Sequence, residues 1–147
     1  MWHYNSSQSF EVPESAIAFI YRITNLTNDK FYIGRKMLLS NRKKKLTLKE
    51  KALKENSRKK FKREIKSTNW ENYWGSNDEL LNDIKELGED KFKREILIFT
   101  SNKTDTSFWE MAIQIKEDVL FKNSYNRHIA NTKFFKGKVT DIFGLMV

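Results

Sequence analysis

The chain has 147 residues, 39% hydrophobic and 14% aromatic, which is material for one cored domain and too little for two ordinary ones. It contains no cysteine, so disulfides and thiolate zinc sites are excluded, and its two histidines, His3 and His128, are too far apart in sequence to suggest an imidazole metal cluster. The first residues lack a basic start and an apolar run, and no stretch approaches membrane-spanning length; a soluble protein without a targeting segment is the expectation.

The net charge is +9. From Arg42 to Lys66 there are thirteen Lys or Arg against three Glu, a local +10 that leaves −1 for the rest of the chain. One contiguous basic block suits a polyanion better than it suits general solubility. The alternative is a solvated lysine-rich loop. Its few apolar residues, Leu46, Leu48, Ala52, Leu53, Phe61 and Ile65, argue against a membrane-surface helix. Nucleic acid is the favoured partner.

In chain order, residues 1 to 15 form an N-terminal extension whose Trp2, Tyr4 and Phe10 are candidates to pack on the domain. Residues Ala16 to Thr24 are mostly apolar and β-compatible, Asn25 to Asp29 is rich in turn formers, and Phe31 to Gly34 is apolar again. That pattern predicts a β-hairpin. Alternation puts Phe19, Tyr21 and Ile23 on one face, where Tyr32 can meet them from the second strand. Two half-buried strand tyrosines are the plain reading of the same residues.

The basic insert, residues 42 to 66, is expected to be partly helical, because Leu48 to Lys66 is rich in Lys, Glu, Ala and Leu and has no Gly or Pro. The aromatic cluster Trp70, Tyr73 and Trp74 reads as core more readily than as a base-stacking platform. A helix follows, with Ser76 as N-cap, Glu79 as its capping-box partner, Leu80, Leu81, Ile84 and Leu87 as the apolar stripe and Gly88 as the stop. Phe92 to Thr100 reads as a central strand, with Ile96 to Phe99 apolar enough for burial on both faces. A second helix is predicted from a cap at Asp105 or Thr106 to about Leu120. The order is ββ, basic insert, αβα: an α+β fold with a small three-stranded, mostly antiparallel sheet flanked by helices. The domain is placed at residues 16 to 130, and residues 131 to 147 form a C-terminal tail.

Phe19-Ile20-Tyr21 and Tyr32-Ile33-Gly34, either side of a turn, resemble the paired signature of the GIY-YIG nuclease superfamily, with Phe19 where the first motif usually has Gly. The wording Phe31 to Lys36 and Tyr73 to Ser76 is especially similar to small phage-encoded, free-standing homing-type endonucleases. The resemblance implies a catalytic arginine about ten residues after Tyr32, on a first helix, which selects Arg42 ahead of Arg35. It implies a metal-holding glutamate on a later helix, matched by Glu110, and an asparagine in a Tyr-Asn pair, matched by Tyr125-Asn126. No histidine follows Arg42 by a few residues, as one does in some members.

Elementary chemistry supports the same residues. Cutting a phosphodiester needs a nucleophilic water, stabilisation of charge on phosphorus oxygens, and relief of charge on the leaving oxygen. A hydrated Mg2+ (or Mn2+) on Glu110 and a phosphate supplies the last. No Lys or Arg lies three or four positions from Glu110 on its own helix to neutralise it. A permanent arginine fork suits the scissile phosphate. For Tyr21 or Tyr32 to act as base, cationic neighbours must lower a phenol pKa from about 10. Asn126, neither base nor charge, is assigned to fixing backbone or orienting the glutamate.

The expectation is therefore a metal-dependent DNA endonuclease, homing-type or nicking, with Tyr21, Tyr32, Arg35, Arg42, Glu110 and Asn126 at its site. Lys36, Lys43, Lys44, Lys45, Arg58, Lys59, Lys60, Lys62 and Arg63 are assigned to binding double-stranded DNA. One such site cuts one strand, so nicking, sequential cutting and a homodimer all remain open. A phage origin implies the host cytoplasm. Two rivals are a catalytically idle DNA-binding module or inhibitor, which binds with steep salt dependence and does not cut, and an RNA-directed nuclease.

Overall fold

The computed structural model describes residues 1–53 and 58–145. The expected α+β architecture is present. Its hairpin is β2 (Ala18–Asn25) paired antiparallel with β3 (Phe31–Met37), and the Asn25 side chain shapes the turn by accepting from the Thr27 N–H. The predicted later strand is β6 (Phe92–Thr100), antiparallel to β2. The sheet has four strands rather than three. Trp2–Tyr4 forms β1 and pairs parallel to β6, giving the order β1-β6-β2-β3.

A register shift beside Ile20 and Tyr21 leaves one extra residue on β6, because Ile20 pairs with Ile98 and Tyr21 with Ile96. The skipped residue, Leu97, is 37% exposed, so the apolar run is not buried on both faces as its composition suggests. The two faces of the sheet carry separate cores. On one, Trp2, Phe19, Tyr21, Ile23, Leu80, Ile84 and Ile96 pack together under α2 (Asp78–Leu87); on the other, Ile20, Ile33, Val119 and Ile129 pack with Met111 and Ile113 of α3 (Lys103–Lys116).

Both helices begin one turn or less from the predicted points, and side-chain geometry decides where. Asn77, not Ser76, caps α2 by accepting from the Leu80 N–H, and Asn102, not Asp105 or Thr106, caps α3 by accepting from the Asp105 N–H. Asparagine is as good a cap as serine. Only Leu80 and Ile84 of the α2 stripe are buried; Leu81 and Leu87 face outward. α3 ends at Lys116 rather than near Leu120, because Asp118 adopts a positive φ of 53°.

The largest departure concerns the basic insert, which is a β-ribbon. Strand β4 (Leu39–Lys45) pairs antiparallel with β5 (Phe61–Ser67), and the only helix described between them is the four-residue α1 (Leu48–Lys51). Helix propensity is a weak prior, and the alternation in Leu39-Ser40-Asn41 and Phe61 to Ile65 wins once the two segments pair. Lys54, Glu55, Asn56 and Ser57 of the predicted helix, and Met146 and Val147 of the tail, lie outside the described residues. The ribbon is rooted in the core: Leu38 is buried, its N–H donates to Ile17 O, and Thr68 donates from its N–H to Leu38 O and from its hydroxyl to Met37 O.

Trp2, Tyr4 and Phe10 pack on the domain as anticipated, and the Trp70 cluster is core-facing. Phe19 sits at the hub, with Trp2, Tyr21, Trp70 and Phe99 all edge-on to it at 5.2 to 6.1 Å. Arg94 holds this layer together. Its guanidinium lies 4.7 Å from the Trp2 ring and 4.1 Å from the Trp74 ring and donates to Glu71 O and Tyr73 O. Burial lowers its pKa, and its Nε is the one buried side-chain polar atom without a partner among the described residues.

Candidate active site

The two strands of the hairpin bring the two motif tyrosines together. Tyr21 pairs with Gly34 and Ile23 with Tyr32, so both phenols rise from one face, with ring centroids 6.0 Å apart. Gly34 makes this possible: a Cβ there would stand 2.6 Å from the Tyr21 hydroxyl and 2.8 Å from the Tyr32 ring. Gly75, with φ of 92°, leaves room on the other side, and Tyr73 packs edge-on to Tyr21 at 5.9 Å. Tyr73 and Tyr32 thus flank Tyr21, and Ser76 lines the cleft beside Tyr32.

The two phenols differ in access. Tyr21 is buried, whereas Tyr32 lines a cleft of about 210 Å³ with Ser76, Asn77, Glu110, Gln114, Asn126, Arg127 and His128. Burial, with the neighbouring phenols and Glu110 adding to it, raises the pKa of Tyr21 well above its ordinary value and raises that of Tyr32 less. Both are protonated at neutral pH. The condition for either tyrosine to act as base, a phenol lowered by cationic neighbours, is thus not met by the surrounding side chains.

Glu110 projects from α3 into the same cleft. Its partner comes from β3, not from its own helix: Arg35 Nε lies 3.4 Å from Glu110 Oε2, and Arg35 Nη1 donates to Ser107 Oγ at 3.1 Å, one turn earlier. Desolvation raises the Glu110 pKa and Arg35 partly opposes it. The glutamate side chain is 12% exposed and that of Arg35 42%, so the carboxylate is sheltered while the guanidinium still meets solvent.

Asn126 is buried and clamps β3 beside Tyr32. Its Oδ1 accepts from Ile33 N at 3.0 Å and its Nδ2 donates to Ile33 O at 2.8 Å. Gln114, four residues past Glu110, donates to the same Ile33 carbonyl and accepts from Ala130 N. Tyr125 completes the brace, donating to Asp83 Oδ2 and accepting from Asn25 Nδ2; burial and the Asp83 contact push its pKa up to about 12.

Arg42 lies elsewhere. It is in β4, not on a helix, opposite Glu64, and lines neither this cleft nor the cavity beside Arg35. Lys36 sits 4.2 Å over the Tyr73 ring, and the other basic candidates lie on or beside the ribbon. Sequence reasoning passed over Ser76, Gln114, Arg127 and His128 as cleft residues. Gln114 carried a usable signal, a polar residue one helical turn from Glu110; His128 stands two positions after Asn126 but gives no periodic cue.

Among the described residues no group of three or more His, Cys, Asp or Glu side chains gathers to enclose a metal. The single carboxylate suits an ion that keeps most of its waters and takes further oxygens from a phosphate, as Mg2+ does.

An α+β domain that sets a phenol and a sheltered carboxylate in one cleft, with a second phenol buried behind the first and an arginine paired to the carboxylate, has the parts of a phosphodiester-cutting nuclease. The chain belongs to the GIY-YIG nuclease family: residues 2–136 match the family model described as "Putative endonuclease segE, GIY-YIG domain". That match makes a DNA endonuclease domain of it. No curated protein and no solved structure matches the chain significantly.

Proposed function

We propose that this chain is a divalent-metal-dependent endonuclease acting on double-stranded DNA, of the homing or nicking kind. The observation that carries the reading is the sheltered Glu110 sharing a cleft with Tyr32 and paired at 3.4 Å with the solvent-reaching Arg35, which lines a second cavity. Glu110 and a phosphate oxygen are the groups that would hold Mg2+ or Mn2+, which when bound relieves charge on the leaving oxygen. Arg35 directs its fork at the scissile phosphate, swinging from Glu110 and Ser107 to a bidentate contact. The Tyr32 hydroxyl, in the cleft with Ser76 and Glu110, positions the attacking water, and Asn126 keeps β3 from shifting beneath it. Arg35, rather than Arg42, acts on the phosphate; the ribbon grips the duplex backbone.

The test is supercoiled plasmid offered to wild type and to Glu110→Ala, each with magnesium or with a chelator. The expected result is metal-dependent nicked or linear product that the variant fails to make. Absence of cutting on DNA and on single-stranded and duplex RNA, with binding intact, would move the reading to a binding module.

A further inference from the structure

The ribbon's charge is sorted by face. The register pairs Ser40 with Lys66, Arg42 with Glu64 and Lys44 with Lys62, which places these six residues on one face. Acidic side chains answer that face: Glu64 lies 3.7 Å from Lys44 and 3.8 Å from Lys66, and Glu50 of α1 binds Lys62. The opposite face carries Leu39, Asn41, Lys43, Lys45, Phe61, Arg63 and Ile65. No acidic residue stands on it, and among the described residues Lys43, Lys45 and Arg63 make no ion pair.

This unanswered face is also apolar where it is exposed. Leu39 is 40% exposed, Phe61 49% and Ile65 67%. Its root reaches the active site, since Leu39 and Asn41, with Ser40 between them, line a cavity with Arg35, Lys103 and Ser107, and Arg35 is the residue that pairs with Glu110. A duplex with a phosphate at Glu110 is thereby led along this face.

We infer that the face bearing Asn41, Lys43, Arg63 and Ile65 is a groove-reading surface that selects the DNA sequence, while the opposite face contributes charge alone. The inference rests on the DNA-directed reading above and deepens it. A two-stranded ribbon fits the major groove, which is about 12 Å wide. Arginine forks to guanine and asparagine to adenine are specific contacts there, and an exposed Ile or Phe meets a thymine methyl. A seven-residue strand reaches about 20 Å, or roughly six base-pair steps of about 3.4 Å each. The bases read lie on one side of the cut, within about half a turn of it.

The experiment uses the full chain silenced by Glu110→Gln, so that it reports on binding whether or not the wild type cuts. A pool of linear duplexes with a randomised centre is bound, recovered and sequenced, and affinities for the enriched and unenriched duplexes are compared. Asn41→Ala with Arg63→Ala is expected to erase the enrichment and to weaken the preferred duplex about 10- to 1000-fold. Arg63→Lys keeps the charge and loses the fork, so it is expected to retain binding to unenriched DNA and still lose the preference. Lys44→Ala with Lys62→Ala is expected to weaken all duplexes alike, by about tenfold or less, with the enriched sequence unchanged. Circular dichroism confirms folding of each variant. No enrichment with the starting protein, or equal and uniform weakening from both faces, overturns the inference.

Discussion

The cleft and the ribbon are built on opposite principles. Around the cleft the supporting frame is pinned: Asn126 and Gln114 saturate Ile33 and Tyr125 is held at both lone pair and proton, while Arg35 rests on Glu110 and Ser107 with its guanidinium open to solvent. On the ribbon the long cations are exposed, and what ion pairs they make are surface pairs of small energy. Positioning chemistry to a fraction of an ångström requires the first arrangement, and meeting a polyanion of variable sequence is served by the second. The comparison sets an exposed, basic surface against a carboxylate sheltered from water with a single arginine paired to it.

That contrast can be broken most sharply with the two arginines. Arg35→Ala is expected to lower single-turnover cleavage by two to three orders of magnitude, about 3 to 4 kcal/mol of transition-state stabilisation, and Arg42→Ala by less than about tenfold, through weaker binding. The reverse order would transfer the catalytic role to the ribbon. Next in size is Asn126→Ala, which leaves Ile33 N without its partner in a buried site and should cost about 1 to 3 kcal/mol in denaturant unfolding. Gly34→Ala tests the crowding of the two phenols: about 1 to 3 kcal/mol of overpacking is expected, with loss of cleavage exceeding what the stability change explains. On the ribbon, Lys44→Ala should shift stability by no more than about 0.5 kcal/mol.

The last test concerns pH. Desolvation raises the Glu110 pKa above its ordinary 4.5, so the folded protein holds that proton to higher pH than the unfolded chain does. Stability is therefore lost as pH climbs from the unfolded value through the folded one, and the deficit persists at neutrality. Glu110→Gln removes it. The variant is expected to melt higher than wild type at pH 7, with the advantage shrinking toward pH 4; an advantage that stays flat with pH would show the carboxylate to be already solvated.

The sequence made the sheet hairpin, both long helices and the closing strand legible because each has a strong period bounded by caps or turns. Tyr21, Tyr32 and Glu110 were legible as a set through the resemblance to the GIY-YIG pattern. The ribbon was not, since lysine-rich segments have good helix propensity and strand pairing between Arg42 and Glu64 is a non-local event. Nor was the Arg35–Glu110 pair, which joins β3 to α3 across the sheet edge. A ten-residue offset pointed to Arg42, and the ribbon's insertion directly after β3 carries that position away from the cleft. His128 and Ser76 enter only through the fold.

The parallel pairing of Trp2–Tyr4 with β6 has a temporal meaning. His3 and Arg94, 91 positions apart, lie side by side, so Trp2–Tyr4 has no seat in the sheet until the sixth strand exists. Arg94 in turn grips the Trp70 to Trp74 segment, which carries Tyr73 and Gly75 to the Tyr21 hydroxyl. Completion of the phenol cluster is thus tied to a contact between segments far apart in sequence. A chain made only as far as β3 carries both motif tyrosines without the segment that packs Tyr73 and Gly75 against Tyr21.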